Sequence, residues 1–146
     1  MIGKNGDRLG FLVHDVARML RSLIDRRVEK FNLTRAKWQA LGILDLSEGL
    51  SQTELANTLE LERSTVGRLT DRLEERGFVE RRPDPEDRRA FRLYLSDTAR
   101  PVLDELEDVA EEVRLIALEG LSEPERVELR RMLTIVKGNL LKEAEG

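Results

Sequence analysis

The stretch SQTELANTLELERSTVGRLTDRLEERGFVERRPDPEDRRAFRLYL, residues 51–95, carries the strongest indication of the fold. Its first half predicts two short helices, because apolar residues recur three and four positions apart. Ser51 and Glu54 have the spacing of a capping box, which starts the first helix, and Gly77 ends the second. The expected inward-facing residues are Leu55, Ala56, Leu59 and Leu61 in the first helix and Val66, Leu69 and Leu73 in the second.

The second half of this stretch predicts a β-hairpin. Residues 91–95 alternate apolar and polar side chains, which is a strand pattern, and residues 78–82 supply the partner strand. The prolines and aspartates of residues 83–89 are turn residues. Two helices and a hairpin form a winged helix-turn-helix, in which the second helix enters the major groove of DNA and the hairpin reaches a minor groove.

Longer helices flank this region. Residues 9–31 carry one apolar face, and Thr34 opens a shorter helix that we expect Gly49 to end in a left-handed cap. Ser96 is a plausible N-cap for a long helix, and a second capping box at Ser122 starts the last helix. The predicted fold is mostly α with a small β-hairpin, in the order ααααββαα. Residues 33–96 form the DNA-binding winged helix-turn-helix, and residues 1–32 and 97–146 form a helical dimerisation region.

Composition excludes several function classes. The 146 residues contain no cysteine and one histidine, so disulfides, thiolate metal sites and thiol redox sensing are excluded, and we expect no metal and no cofactor. No apolar run is long enough to cross a membrane, and the first residues lack the apolar stretch of a signal peptide. We therefore expect one soluble, cytoplasmic domain without a membrane partner.

The acidic charge belongs to the C-terminal part of the chain. Residues 1–95 hold 18 Lys and Arg against 16 Asp and Glu, a net charge of +2, whereas residues 96–146 hold 7 against 13, a net charge of −6. The overall charge of −4 therefore does not argue against an anionic partner for the middle of the chain.

The predicted hairpin is rich in arginine, which suits phosphate contacts and a narrow minor groove. Five arginines lie within twelve residues: Arg81, Arg82, Arg88, Arg89 and Arg92. One alternative is a solvated charged hairpin whose arginines are offset by Asp84, Glu86 and Asp87. A DNA contact is favoured because the loop offers these arginines no apolar surface to pack on.

The second helix of the pair presents polar residues where base edges are normally met, namely Arg63, Ser64, Thr65 and Arg68. Arg68 has the donor geometry to pair with a guanine. Alternatively, Arg68, Arg72 and Arg76 bond to acidic neighbours on the same helix surface, Asp71, Glu74 and Glu75.

Residues 50–100 resemble the MarR family of transcriptional regulators. The resemblance rests on LSQTELA at 50–56, RSTV at 63–66, LEERGFVER at 73–81 and DPEDRRA at 84–90, and LTRAKW at 33–38 is similar to the SlyA-like branch. It implies a homodimer on pseudo-palindromic double-stranded DNA, with Arg88 in the minor groove, Arg68 in the major groove and Asp87 bracing the wing arginines. The predicted DNA-binding set is Ser51, Gln52, Arg63, Ser64, Thr65, Arg68, Asp87, Arg88 and Arg89.

Two further expectations concern the flanking helices. Their apolar stripes are wider than the central region can cover, so we expect them to pack on a second copy; an intramolecular bundle is the alternative. By resemblance to relatives that respond to small aromatic carboxylates, His14, Arg18 and Trp38 are candidate contacts for such an effector where the first, second and fifth helices converge. The alternatives are that Trp38 is a core residue and His14 an ordinary surface or interface residue.

The sequence leaves two other functions open. A winged helix can dock a partner protein, which would tolerate loss of Arg68 and Arg88. An enzyme is less favoured, because one histidine and scattered carboxylates supply no metal cluster, phosphate loop or nucleophile with a paired base.

Overall fold

The computed structural model describes residues 8–146, and the expectation about the amino-terminal stretch falls mostly on residues 1–7, outside this range. The described chain forms two compact units, which are residues 8–113 and Arg114–Gly146. None of the helices within residues 8–146 combines the length and the apolar character needed to cross a membrane.

Helices make up most of the described chain. Six α-helices follow one another as α1 Leu9–Val28, α2 Arg35–Leu46, α3 Gln52–Leu59, α4 Arg63–Glu75, α5 Arg100–Ala117 and α6 Glu123–Glu145. Short 3₁₀ turns at Glu29–Phe31 and Asp97–Ala99 precede α2 and α5. The predicted mostly helical fold and the order of its six helices are confirmed.

Three strands form a small antiparallel sheet. They are β1 Leu50–Ser51, β2 Val79–Pro83 and β3 Phe91–Leu95, with β3 in the centre. The predicted hairpin is β2 and β3, with Arg81 opposite Leu93 in the register. The strand β1 pairs Leu50 with Leu93 and was not predicted, because two residues are too short to carry a periodic signal.

Two local predictions are wrong. The helix α2 ends at Leu46 rather than at Gly49, and the Ser47 amide closes its last turn on the Ile43 carbonyl at 2.9 Å. Gly49 does adopt the expected left-handed conformation, with a φ of +87°, but it donates its amide to the Leu93 carbonyl and leads the chain into the sheet rather than capping the helix. Leu61 is exposed rather than buried, because it lies in the turn after α3 has ended.

The core of the first unit fixes the orientation of α4. Leu41 and Leu44 of α2, Leu55 of α3 and Leu93 of β3 are at most 1% exposed. They belong to one cluster with the apolar face of α4, formed by Val66, Leu69 and Leu73. Burying this face turns the polar face of α4 outward.

The second unit contains the end of α5 and all of α6. The capping box predicted at Ser122 is present, because the Ser122 amide donates to Glu125 Oε1 at 2.8 Å and the Glu125 amide donates to Ser122 Oγ at 3.3 Å. These bonds hold the pKa of Glu125 below its ordinary value. Seven large apolar side chains of α6 are 46–66% exposed: Val127, Met132, Leu133, Ile135, Val136, Leu140 and Leu141.

Candidate nucleic-acid interface

The helix-turn-helix is α3, a three-residue turn and α4. Ser51 caps α3 by accepting a hydrogen bond from the Glu54 amide to its Oγ, at 3.1 Å. Glu60 adopts the left-handed conformation at φ +57°, and this reverses the chain into the turn. In the first turns of α4, Arg63, Ser64 and Arg68 are exposed and Thr65 is half-buried.

Several arginines of this region have no protein partner. Within residues 8–146, the side chains of Arg63, Arg68, Arg88 and Arg89 make no hydrogen bond or ion pair, and all four are exposed. Arg63 and Arg68 lie on α4, whereas Arg88 and Arg89 lie in the loop that joins β2 and β3. Their guanidinium groups are therefore available to an external anion.

Asp84 organises the loop that carries Arg88. Its Oδ1 accepts hydrogen bonds from the amides of Glu86 at 2.8 Å and Asp87 at 3.3 Å, and its Oδ2 pairs with Arg92 Nε at 3.0 Å. The backbone bonds, with the nearby Arg92 charge, hold the pKa of Asp84 below its ordinary value. The sequence predicts Asp84 both as a turn residue and as a counter-charge, and its bond from the Glu86 amide gives this turn the geometry of an Asx turn.

Asp87 acts on the backbone of the same loop. Its Oδ1 accepts a hydrogen bond from the Arg89 amide at 2.9 Å, and its carbonyl accepts one from the Ala90 amide at 3.1 Å. The carboxylate thus orders the turn that presents Arg88 and Arg89. Its role beside arginine side chains on DNA stays a prediction.

Three of the five hairpin arginines bind groups within the protein, among them Arg92, which pairs with Asp84 as the alternative of an internally offset hairpin expects. Arg92 pairs with Asp84 and also donates to the Gly49 carbonyl at 3.0 Å. Arg82 pairs with Glu80 at 3.3 Å and lies over the Tyr94 ring, 4.0 Å from its centroid.

Arg81 is the most enclosed of the three, with a side chain only 17% exposed. Its Nε donates to Gln52 Oε1 at 2.7 Å, and its other nitrogens contact α4. The predicted DNA contact Gln52 therefore has its amide oxygen engaged inside the protein. These partners lie 7 to 29 residues away, so local sequence patterns could not reveal them.

Arg76 also has a partner that local reasoning missed. The sequence alternative pairs Arg76 with acidic groups on its own helix. In the structure its Nη1 and Nη2 donate to the carbonyls of Asn32 at 2.9 Å and Phe31 at 3.0 Å. Its guanidinium also lies over the Phe78 ring at 4.6 Å. Arg76 therefore ties the end of α4 to the connection between α1 and α2.

The three candidate effector contacts lie on two helices. His14 and Arg18 are exposed on the first half of α1, where Arg18 pairs weakly with Asp15 at 3.5 Å. Trp38 on α2 is half-buried, packs against the core and donates from Nε1 to Asp25 Oδ1 at 2.7 Å. Asp25 lies about 10 Å along α1 from Arg18 and about 16 Å from His14, at 1.5 Å per residue.

Asp25 joins α1 to α2. Its Oδ2 accepts hydrogen bonds from Arg35 Nε at 2.9 Å and Nη2 at 2.5 Å, beside the bond from Trp38. Partial burial raises the pKa of Asp25, but the hydrogen bonds from Arg35 and Trp38 outweigh it, so the net pKa lies below the ordinary value. An open groove of about 650 Å³ adjoins Trp38, and Arg21, Arg35, Ile43, Leu46 and Leu59 are among its lining residues.

Known proteins resemble this chain both in sequence and in structure. Residues 31–90 match the MarR family. A MarR transcriptional regulator from Methanosarcina mazei is 24% identical over 92% of this chain and 96% of its own, with a TM-score of 0.83. A MarR family regulator from Silicibacter pomeroyi is 26% identical over 94% of this chain and 92% of its own, with a TM-score of 0.80.

A third structure holds nucleic acid. A mutant MarR from E. coli complexed with operator DNA is 23% identical over 89% of this chain and 94% of its own, with a TM-score of 0.72. All three comparisons extend over the flanking helices as well as the winged region. Residues 31–90 of this chain are therefore similar to the MarR family, and the chain has the fold of the MarR transcriptional regulators.

Proposed function

We propose that this protein is a dimeric, sequence-specific DNA-binding regulator of transcription and not an enzyme. The observation that carries the proposal is a pair of exposed arginines on a winged helix-turn-helix, Arg68 on α4 and Arg88 at the hairpin tip, which have no partner among residues 8–146. These are the two elements that such proteins insert into the major and minor grooves. The operator complex of the E. coli relative supports a DNA partner.

The proposed contacts divide by chemistry. Arg68 reads a base edge in the major groove, because a guanidinium pairs bidentately with guanine, while Ser64 and Thr65 bind a base or a phosphate. Arg88 enters the minor groove, and Arg63 and Arg89 neutralise phosphates. Ser51 and Gln52, at the amino terminus of α3, contact the sugar-phosphate backbone of the DNA, and Asp87 orders the wing loop.

The dimer follows from the flanking helices. Residues 1–32 and 97–146 form the proposed dimerisation region, and residues 33–96 form the DNA-binding region. On α1, six large apolar side chains are 47–60% exposed in the single chain: Leu9, Phe11, Leu12, Val13, Val16 and Met19. A second copy would cover such a stripe, and a two-fold axis would place two α4 helices on one face of the duplex.

A small aromatic anion is the proposed effector. Trp38 and the cationic groups Arg21 and Arg35 border one groove, which offers an aromatic surface beside positive charge. His14 and Arg18 lie further along α1 and remain in the proposed set. Membership of the SlyA-like branch, inferred from residues 33–38, belongs to the same proposal.

Selection from a random pool of DNA duplexes tests the function directly. We expect the protein to enrich pseudo-palindromic sequences whose half-site centres lie about 10 base pairs apart, since two dyad-related helices must meet the same face of the duplex. A pool that gains no common sequence after repeated rounds would contradict the proposal.

Docking of a partner protein through the same winged helix is the competing function. It predicts that Arg68→Ala and Arg88→Ala bind the enriched duplexes as the parent does. We expect both variants to bind more weakly. The loss for Arg68→Ala should depend on the base sequence, and Arg88→Ala should reduce the salt dependence of binding. Equal binding by both variants would favour the docking function.

A further inference from the structure

The side chain of Arg81 joins the hairpin to the helix-turn-helix through hydrogen bonds and ion pairs. Its Nε donates to Gln52 Oε1 on α3 at 2.7 Å, and its Nη2 donates to the Gly67 carbonyl on α4 at 3.0 Å. Its Nη2 also lies 2.7 Å from Asp71 Oδ1, and its Nη1 lies 3.2 Å from Glu74 Oε1. One side chain of β2 therefore bonds to two helices at once.

The contacts of Arg81 lie between the two parts of the candidate interface, α4 and the hairpin tip. Gly67 directly precedes Arg68 on α4, and Arg81 lies seven residues before Arg88 on the hairpin. The main-chain amide of Arg81 also donates to Glu74 Oε2 at 3.3 Å, so backbone and side chain hold the same helix. The contacts of Arg81 thus connect the segment that carries Arg68 to the strand that leads to Arg88.

Two neighbouring carboxylates neutralise the charge of Arg81. Its side chain is 17% exposed and faces two carboxylates, Asp71 and Glu74. A phosphate would have to compete with both for the same donors. A planar guanidinium serves several fixed acceptors simultaneously, whereas the ammonium of a lysine is a compact point charge that does not match this fork.

We propose that Arg81 is a positioning residue that fixes the wing against the recognition helix, and so sets the sequence specificity of DNA binding without contacting DNA. This inference rests on the proposed function. It assigns Arg81 a role that differs from that of Arg88, although both belong to the same arginine-rich hairpin. It also gives Gln52 the role of an acceptor that holds Arg81.

The variant Arg81→Lys separates position from charge, because it keeps the cation and removes the fork. We expect about tenfold weaker binding to the enriched operator, comparable to the loss of one charged hydrogen bond, with affinity for a scrambled duplex and the salt dependence both unchanged. The control is Arg82→Lys, the same substitution at the next residue, whose side chain is 56% exposed. We expect it to preserve the ratio of specific to non-specific affinity.

A measurement without DNA tests the link itself. The amides of Glu86, Asp87 and Arg89 are hydrogen-bonded within the wing loop, so their hydrogen exchange reports how firmly the loop is held. We expect faster exchange in Arg81→Lys and parent-like exchange in Arg82→Lys. Gln52→Leu removes one acceptor without changing charge, and we expect a smaller effect in the same direction.

Two outcomes would overturn the inference. If Arg81→Lys keeps both the affinity ratio and the exchange rates of the parent, Arg81 does not position the wing. If Arg81→Gln lowers specific and non-specific affinity equally and reduces the salt slope by about one, Arg81 itself contacts a phosphate. Failure of the parent to bind any duplex would contradict the proposed function, while the exchange rates would still decide the role of Arg81.

Discussion

At the scale of the residue, the arginines of the hairpin show what a sequence can and cannot reveal. Helical periodicity is local, so it predicted correctly that Val66, Leu69 and Leu73 are inward-facing and thus that Arg68 is exposed. The partners of Arg92 include the Gly49 carbonyl, 43 residues away, and no local pattern contains that information. The sequence therefore does not distinguish the five hairpin arginines by their partners, although only Arg88 and Arg89 of the five are unpartnered among the described residues.

Arg88→Ala tests the wing contact. We expect weaker binding to every duplex and a salt slope reduced by about one, because a minor-groove or phosphate contact acts mainly through charge. The control is Arg131→Ala on α6, which removes the same charge from a side chain paired with Glu128. Titrations across a salt series measure both quantities. An unchanged slope for Arg88→Ala would exclude an electrostatic contact at the wing tip.

Arg68→Ala tests base reading by α4. We expect a loss of about 1 to 3 kcal/mol that is concentrated at one base position in each half-site, because a guanidinium pairs bidentately with one guanine. Binding to a set of operators with single base changes measures this pattern, and Arg72→Ala, about one turn further along the helix, is the control. A loss spread evenly over all positions would show that Arg68 binds phosphate instead.

At the scale of the element, capping chemistry located helix starts well. The spacing of Ser122 and Glu125 predicted the start of α6, and Ser51 accepts the amide bond expected at the start of α3. The end of α2 was predicted too late, because the left-handed Gly49 forms a turn into the sheet and not the cap of the helix. The wing loop depends on Asp84, whose aspartate turn is a local pattern and was therefore within reach of sequence reasoning.

The Asp25 carboxylate, which links α1 and α2, predicts that the free energy of unfolding depends on pH. The pKa of Asp25 in the folded protein lies below its ordinary value of 3.8, so its ionised form stabilises the fold above that pH. This stabilisation is lost as the pH falls through the folded pKa. Asp25→Asn removes the charge that pairs with Arg35, while its amide oxygen still offers an acceptor to Trp38.

Chemical denaturation at a series of pH values measures this effect. We expect the parent to exceed Asp25→Asn in free energy of unfolding by a constant amount between about pH 5 and pH 8, and the difference to shrink below about pH 4. Asp15→Asn is the control, because its exposed partner Arg18 lies 3.5 Å away and such surface pairs contribute little. A difference that stays constant down to pH 2 would rule out a stabilising Asp25 carboxylate.

At the scale of the whole molecule, composition and periodicity were sufficient for the fold class but not for the assembly. The six helices and the hairpin follow from patterns within each segment. The partner that covers the apolar side chains of α1 and α6 is a second molecule in the proposed dimer, and a single sequence carries no contact between two copies.

The dimer itself is the last prediction. We expect the parent to sediment as a dimer at micromolar concentration, because the exposed apolar side chains of α6 are stable in water only when a partner covers them. Leu140→Glu places a charge in this surface and should shift the protein towards monomer, since an unpaired buried carboxylate is costly. Lys142→Glu is the matched control, because it places the same side chain about 200° around the helix, at 100° per residue. The monomeric variant should also lose the preference for two half-sites over one, since the dyad that couples two α4 helices is gone. A monomeric parent, or equal sedimentation of the two variants, would contradict a dimer built on α6.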